Sequence, residues 1–244
     1  MSARIHNYLS DTWNRDKVMA IVQFLPMALE GPVQNAGCGS LAQSLGNLSK
    51  MADAYRAVTR LSLLFNALAP DTLKSLSKPK EDNIVARIDQ ISHAFHIGFC
   101  FNEHTAVLAG RGVLRSELSR FGGIAVLCWL YTLVLGIIRQ AYLLVKHNPN
   151  CCCAIAPESQ EKKKVVPYTH EECKRAVVTL VKLSCFTIFA MTCLPEGKPQ
   201  LLREVCGPLV PLHKLITAMV PNKLQLSDSL RGLLAFTASV CDFY

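Results

Sequence analysis

Charge and aromatic rings are both scarce in this chain. Of its 244 residues 18% are charged and 7% are aromatic, while half are hydrophobic. The apolar share exceeds what an ordinary soluble domain needs and falls short of a multi-span transporter. A membrane-attached protein with one or two spans fits best. The bases give a formal charge of +8, which suits anionic headgroups. They are dispersed along apolar segments and not gathered with stacking aromatics, so nucleic acid is not expected as a partner. No Cys-x-x-Cys pair occurs among the eleven cysteines. Their odd number and their burial in apolar stretches (Cys100, Cys128, Cys185, Cys193) point to thiols in a reducing compartment. The opening MSARIHNYLSDTW lacks an apolar signal core, so no secretory signal is expected, and the ending is not a Ser-Lys-Leu address. Also missing are a glycine-rich phosphate loop, a Gly-x-Ser-x-Gly elbow and a His-Glu-x-x-His helix. With no nucleophile–base arrangement in sight, neither enzyme activity nor a cofactor is expected. No alternating β-pattern survives inspection, and the expected fold is all-α.

Long apolar runs are present. Phe121 to Ile138 carries no charge and is bracketed by Arg120 and Arg139. As a helix it would reach roughly 27 Å, against about 30 Å for a bilayer's hydrocarbon core. A transmembrane helix over 121–145 is expected, preceded by an amphipathic helical region over 1–120. A flexible basic linker over 146–170 should follow, with Cys151-Cys152-Cys153 as a candidate acylation site and Lys162 to Lys164 as a solvated charge run or a headgroup contact. An apolar helical segment is expected over 171–223. Within it Val177 to Leu194 is interrupted by Lys182, which at a span's centre would cost about 2.5–3.5 kcal/mol. Packing on protein or lying at the interface suits that stretch better.

Three seams organise the first 120 residues. Val18, Ile21, Val22, Leu25, Ala28 and Leu29 share one stripe of a helix at 100° per residue, with Arg15 and Lys17 on its shoulders and Asp16 and Gln23 behind. Basic shoulders let aliphatic stems lie along lipid while the charges reach headgroups, although a helix packed on a soluble core has the same stripe. Pro26 should kink or end this helix, and a turn-rich stretch should occupy Gly31 to Gly46. Residues 50–68 form a second seam (Met51, Tyr55, Val58, Leu61, Phe65, Leu68) with Lys50, Arg56 and Arg60 as polar cover. After a charged connector, Ser77 to Asp82, a third seam follows over about 83–108, through Ile84, Ile88, Ile91, Phe95 and Phe99. Such seams usually mean helix–helix packing, within a chain or between copies. His96, Cys100 and His104 fall on one face, near His93 and Glu103. Positions i and i+8 are about 12 Å apart, so one straight helix closes a tetrahedron poorly and no metal site is expected.

Several short motifs together resemble the peroxin-11 family of peroxisomal membrane proteins. Asn14-Arg15-Asp16-Lys17-Val18 followed by Val22-Gln23-Phe24 is similar to the family's N-terminal helix, with phenylalanine where tyrosine is usual. Tyr55-Arg56-Ala57-Val58-Thr59-Arg60-Leu61 stands where the family has its second, arginine-bearing helix. Leu226-Ser227-Asp228-Ser229-Leu230-Arg231-Gly232-Leu233-Leu234 looks like its C-terminal segment, with Ser239 in place of a serine pair. The divergence, the long linker and the basic balance look most like the glycosomal branch. The resemblance implies a peroxisomal or glycosomal multi-pass membrane protein, with both termini cytosolic and a second span near 224–244. That span would be poor, because it holds Asp228, Arg231 and Asp242. The resemblance also implies elongation, division and proliferation of the organelle, homo-oligomers, and fission-machinery proteins as partners. On this expectation Arg15, Lys17, Val18, Ile21, Val22, Leu25 and Leu29 form the membrane-remodelling helix. Tyr55, Val58, Leu61, Phe65, Ile88, Ile91 and Phe95 serve self-association. A metabolite pore in the same membrane, or an adaptor for fission factors, are the competing functions.

Overall fold

A computed structural model describes residues 6, 8–78, 82–147, 167–196 and 218–244. Every regular element among them is helical: α1 (Thr12–Asn35), α2 (Gly39–Thr59), α3 (Leu61–Leu68), α4 (Pro70–Ser77), α5 (Asn83–Gly110), a 3-10 turn (Ser116–Arg120), α6 (Phe121–His147), α7 (His170–Cys193) and α8 (Asp228–Cys241). The expected all-α fold holds. The cysteine triplet and the lysine run of the 146–170 linker lie outside the described residues, as do residues 197–217.

Caps account for several boundaries. The Asp11 carboxylate accepts from the Trp13 amide to start α1, Asp82 accepts from Ile84 and Val85 to start α5, and Thr169 with Glu172 forms a reciprocal capping box at α7; each satisfies amides that the first turn leaves unpaired. The α1 helix runs on through Pro26 and Pro32 to Asn35, so the turn expected over 31–46 shrinks to three residues, with Gly37 at φ +83°. The second seam breaks at Arg60 into α2 and α3.

The α6 and α7 helices form an antiparallel hairpin. Leu127, Leu130 and Leu133 pack with Ala190 and Leu194, Gly136 lies against Leu183, and at the far end His147 stacks on Tyr168 at 4.4 Å. Two helical stretches among the described residues are long and apolar enough to cross a bilayer, Ser116–His147 and His170–Cys193. The stretch near 224–244, expected as the second span, is not one of them. At 14 residues α8 reaches about 21 Å, short of the hydrocarbon thickness. The α7 helix is the better candidate because Lys182 is compensated: its ammonium donates to Asp242 at 2.9 Å. A paired charge costs far less to bury than a lone one.

The remaining helices are laid against this hairpin. Phe95 and Phe99 of α5 stack on Tyr131 and Trp129 of α6 at 5.3 and 6.3 Å. Arg139 and Lys146 of α6 pair with Asp89 and Asp82. The α8 helix runs back along α7, tied by Arg231 to Thr192 and by Asp242 to Lys182. On the other side α8 packs against α1.

Candidate membrane-facing surface and the charge network behind it

The α1 helix is held from behind. Ala20 and Phe24 are buried with Phe189 and Ala235, the Phe24 and Phe189 rings meeting edge to face at 5.2 Å. Gly232 of α8 sits so close that a Cβ there would lie 2.4 Å from the Ala28 amide nitrogen; only glycine permits that approach. On the neighbouring arc Asp16, Gln23 and Glu30, at intervals of seven, all face α2. What remains is the apolar stripe. Leu25 and Leu29 are 39% and 42% exposed, with Val18, Ile21 and Val22 half-buried beside them. Of the predicted stripe, Ala28 at its edge is taken by α8. Lys17 stays half-buried on its shoulder, while Arg15 donates to the Thr12 hydroxyl at 3.1 Å and leaves a buried Nε without a partner.

The α2 helix is turned the same way. Ala42, Gly46, Ala52 and Arg56 face inward and are buried, while Leu41, Leu48, Met51, Tyr55 and Val58 face out. Arg56 was expected as polar cover on the surface, and this is corrected: it is 6% exposed, whereas Val58 is 67% and Phe65 66%. The inversion has a direct cause. Small residues let α1 and α2 approach closely, and the arginine finds a carboxylate there that water would otherwise have to replace. Of the other predicted self-association residues, Tyr55, Leu61 and Ile91 are exposed, Ile88 is half-buried, and Phe95 is already engaged by Tyr131 within the chain.

Between the helices runs a connected polar network. The Arg56 guanidinium donates twice to Asp16, at 2.9 and 3.0 Å, and once to Gln23 at 2.5 Å. Gln23 in turn donates to Asp53 at 2.8 Å. Arg60 reaches Asp16 at 3.4 Å and Glu103 of α5 at 2.8 Å. Burial alone would raise the Asp16 pKa, but Arg56 and Arg60 outweigh it and hold the carboxyl below its usual range. Burial opposes the charge on Arg60 too, and Glu103 and Asp16 overcome that. Both ions therefore stay charged, and each charge-assisted bond contributes about 1.5–3 kcal/mol relative to its loss. Breaking a buried pair of this kind typically costs about 3–5 kcal/mol.

The histidine face of α5 is spent on local contacts. His93 bonds the Ala67 carbonyl oxygen at 2.9 Å, His104 the Cys100 carbonyl at 2.5 Å, and His96 lies 3.8 Å from the Cys100 sulfur. Burial and then Glu103 push the Cys100 thiol up to about 11, which keeps it a protonated, inert thiol.

Two of the segments with family-like motifs thus pack on the helix that carries the third: Arg56 on Asp16 and Gln23, and Gly232 on Ala28. A family model described as peroxisomal biogenesis factor 11 (PEX11) matches residues 2–244. The chain belongs to the PEX11 family. No curated protein matches it, and no solved structure does. PEX11 is a family of peroxisomal biogenesis factors and not of enzymes, and membership implies the peroxisomal membrane. The two long apolar helices are compatible with insertion there. The sequence pattern sets Asp16 and Gln23 behind the stripe and Arg56 and Arg60 on the polar side of the second seam; their spacing at i, i+7 and i, i+4 was the signal that they share an interior seam.

Proposed function

We propose that this PEX11 protein elongates and divides peroxisomes, or glycosomes on the closer branch resemblance, by setting the apolar stripe of α1 into one leaflet of their membrane. The observation that carries this reading is the orientation of α1. Asp16, Gln23 and Glu30 are turned to α2, Ala20, Phe24 and Ala28 to α7 and α8, and Leu25 and Leu29 are left outward beside the half-buried Val18, Ile21 and Val22. An apolar face inserted shallowly expands the leaflet it enters, and the effect grows with surface density. Copies meeting through the outward Tyr55, Val58, Leu61 and Phe65 would raise that density, and both termini are taken to lie on the cytosolic side. Full-length protein in anionic liposomes tubulates them, and Ile21→Glu or Val22→Glu abolishes tubulation with helicity intact. Undiminished tubulation by both variants refutes the proposal.

A metabolite pore needs polar groups inside the spans. Within the candidate spans Lys182 is closed by Asp242, which supports remodelling over conduction. Single-channel conductance that survives removal of residues 1–30 would reverse that preference. Capture of fission factors by a chain whose stripe has been made polar would favour the adaptor reading.

A further inference from the structure

We propose that the Asp16–Arg56 pair, extended through Arg60 to Glu103, is the positioning device for α1: it sets the helix's rotation about its own axis and so decides which residues meet lipid. The inference rests on the reading of α1 as the lipid-facing helix and adds what holds it in that setting.

Contacts of α1 with α8 and α7 are made by small residues and rings, such as Ala28 on Gly232 and Phe24 on Phe189. Contacts of that kind are weakly directional. The guanidinium of Arg56 is directional: it grips α1 at two residues seven positions apart, twice at Asp16 and once at Gln23, in a planar fork that suits a carboxylate. The residues on either side of Asp16 sharpen this. Arg15 precedes it and Lys17 follows it, so turning α1 by one residue in either sense, about 100°, sets a cation where the carboxylate stood. That cation would face Arg56, 6% exposed, and Arg60. The same turns would replace Gln23 by Val22 or Phe24, which offer no acceptor. The order cation–anion–cation therefore stabilises one rotation and penalises both neighbours, an element of specificity by repulsion as well as attraction. Arg60, at the break between α2 and α3, passes the constraint on to α5 through Glu103, and α5 is packed on the α6 candidate span.

The test uses the full chain in vesicles of phosphatidylcholine and phosphatidylinositol with brominated acyl chains, which quench tryptophan. Trp13→Phe, Trp129→Phe and Leu25→Trp give a parent with one reporter on the stripe. Strong quenching is expected in the parent. Arg56→Met should at least halve it and lower tubulation in step, with helicity unchanged. Adding Asp16→Arg to Arg56→Asp should restore at least half of what Arg56→Asp loses, which a general packing defect would not do. If Arg56→Met loses helicity, Arg56→Lys carries the test: quenching midway supports the inference, and full quenching overturns it. A quenched parent with an equally quenched Arg56→Met overturns this inference alone. An unquenched parent overturns the lipid-facing reading and this inference with it.

Discussion

The α6–α7 hairpin and the α1–α2 pair are both apolar outside, yet they are held together by different means. In the hairpin, leucines meet leucines and alanines: Leu127, Leu130 and Leu133 against Ala190 and Leu194. In the α1–α2 pair, the buried small residues Ala42, Gly46 and Ala52 of α2 flank the Asp16–Arg56 ion pair, and the leucines are turned away. A helix that is apolar all round has no preferred face, so shape fits it to its neighbour. A helix that is apolar on one side only must be aimed. Small residues allow the close approach, and the directional ion pair does the aiming.

Glycine substitutions should break this comparison most visibly. Gly232→Leu drives a side chain into the Ala28 backbone, where a Cβ already falls 2.4 Å from the amide nitrogen. Backbone cannot rotate aside, so a loss of at least about 3 kcal/mol is expected, at the upper end of overpacking costs. It should be measured as a lower unfolding midpoint in detergent, with α1 newly open to protease. Gly136→Ala in the hairpin meets only the Leu183 methyl at 3.2 Å. A methyl at the end of a flexible side chain gives way, and the gain in helix propensity of about 1 kcal/mol offsets the crowding. That variant should unfold within a degree or two of the unsubstituted chain.

A smaller effect should come with acid. Asp82 caps α5 and accepts from Lys146 and Tyr142 of α6. Burial would raise its pKa, but the Lys146 bond and the α5 amides outweigh burial and bring it down to about 2. Its folded value is depressed, so its stabilising contribution is complete above the ordinary value of 3.8. It is lost as pH falls from there through about 2, and its size is about 1–2 kcal/mol after allowing for solvent screening. Asp82→Asn should flatten the stability profile in that window and lower stability by about 1–2 kcal/mol near neutrality, where the carboxylate's contribution is complete.

The helical fold and the first candidate span were legible in the sequence, because a charge-free run bracketed by arginines stands out. The α7 stretch was set aside as a span because Lys182 was weighed alone, and its partner Asp242 lies 60 residues further on. Arg56 of α2 was misassigned for a related reason. Periodicity finds two faces on a helix but does not say which one is inside. The paired carboxylate Asp16, 40 residues from Arg56, decides the matter only once the helices have been brought together.

The most direct measurement is a single-tryptophan scan of residues 20 to 29 in the full chain, otherwise free of tryptophan, read by brominated-lipid quenching in vesicles. Maxima at 22, 25 and 29 with minima at 20, 23, 24 and 27 are expected, the pattern of a helix whose apolar stripe alone lies in lipid. A flat profile, or maxima at 20, 24 and 27, would contradict it.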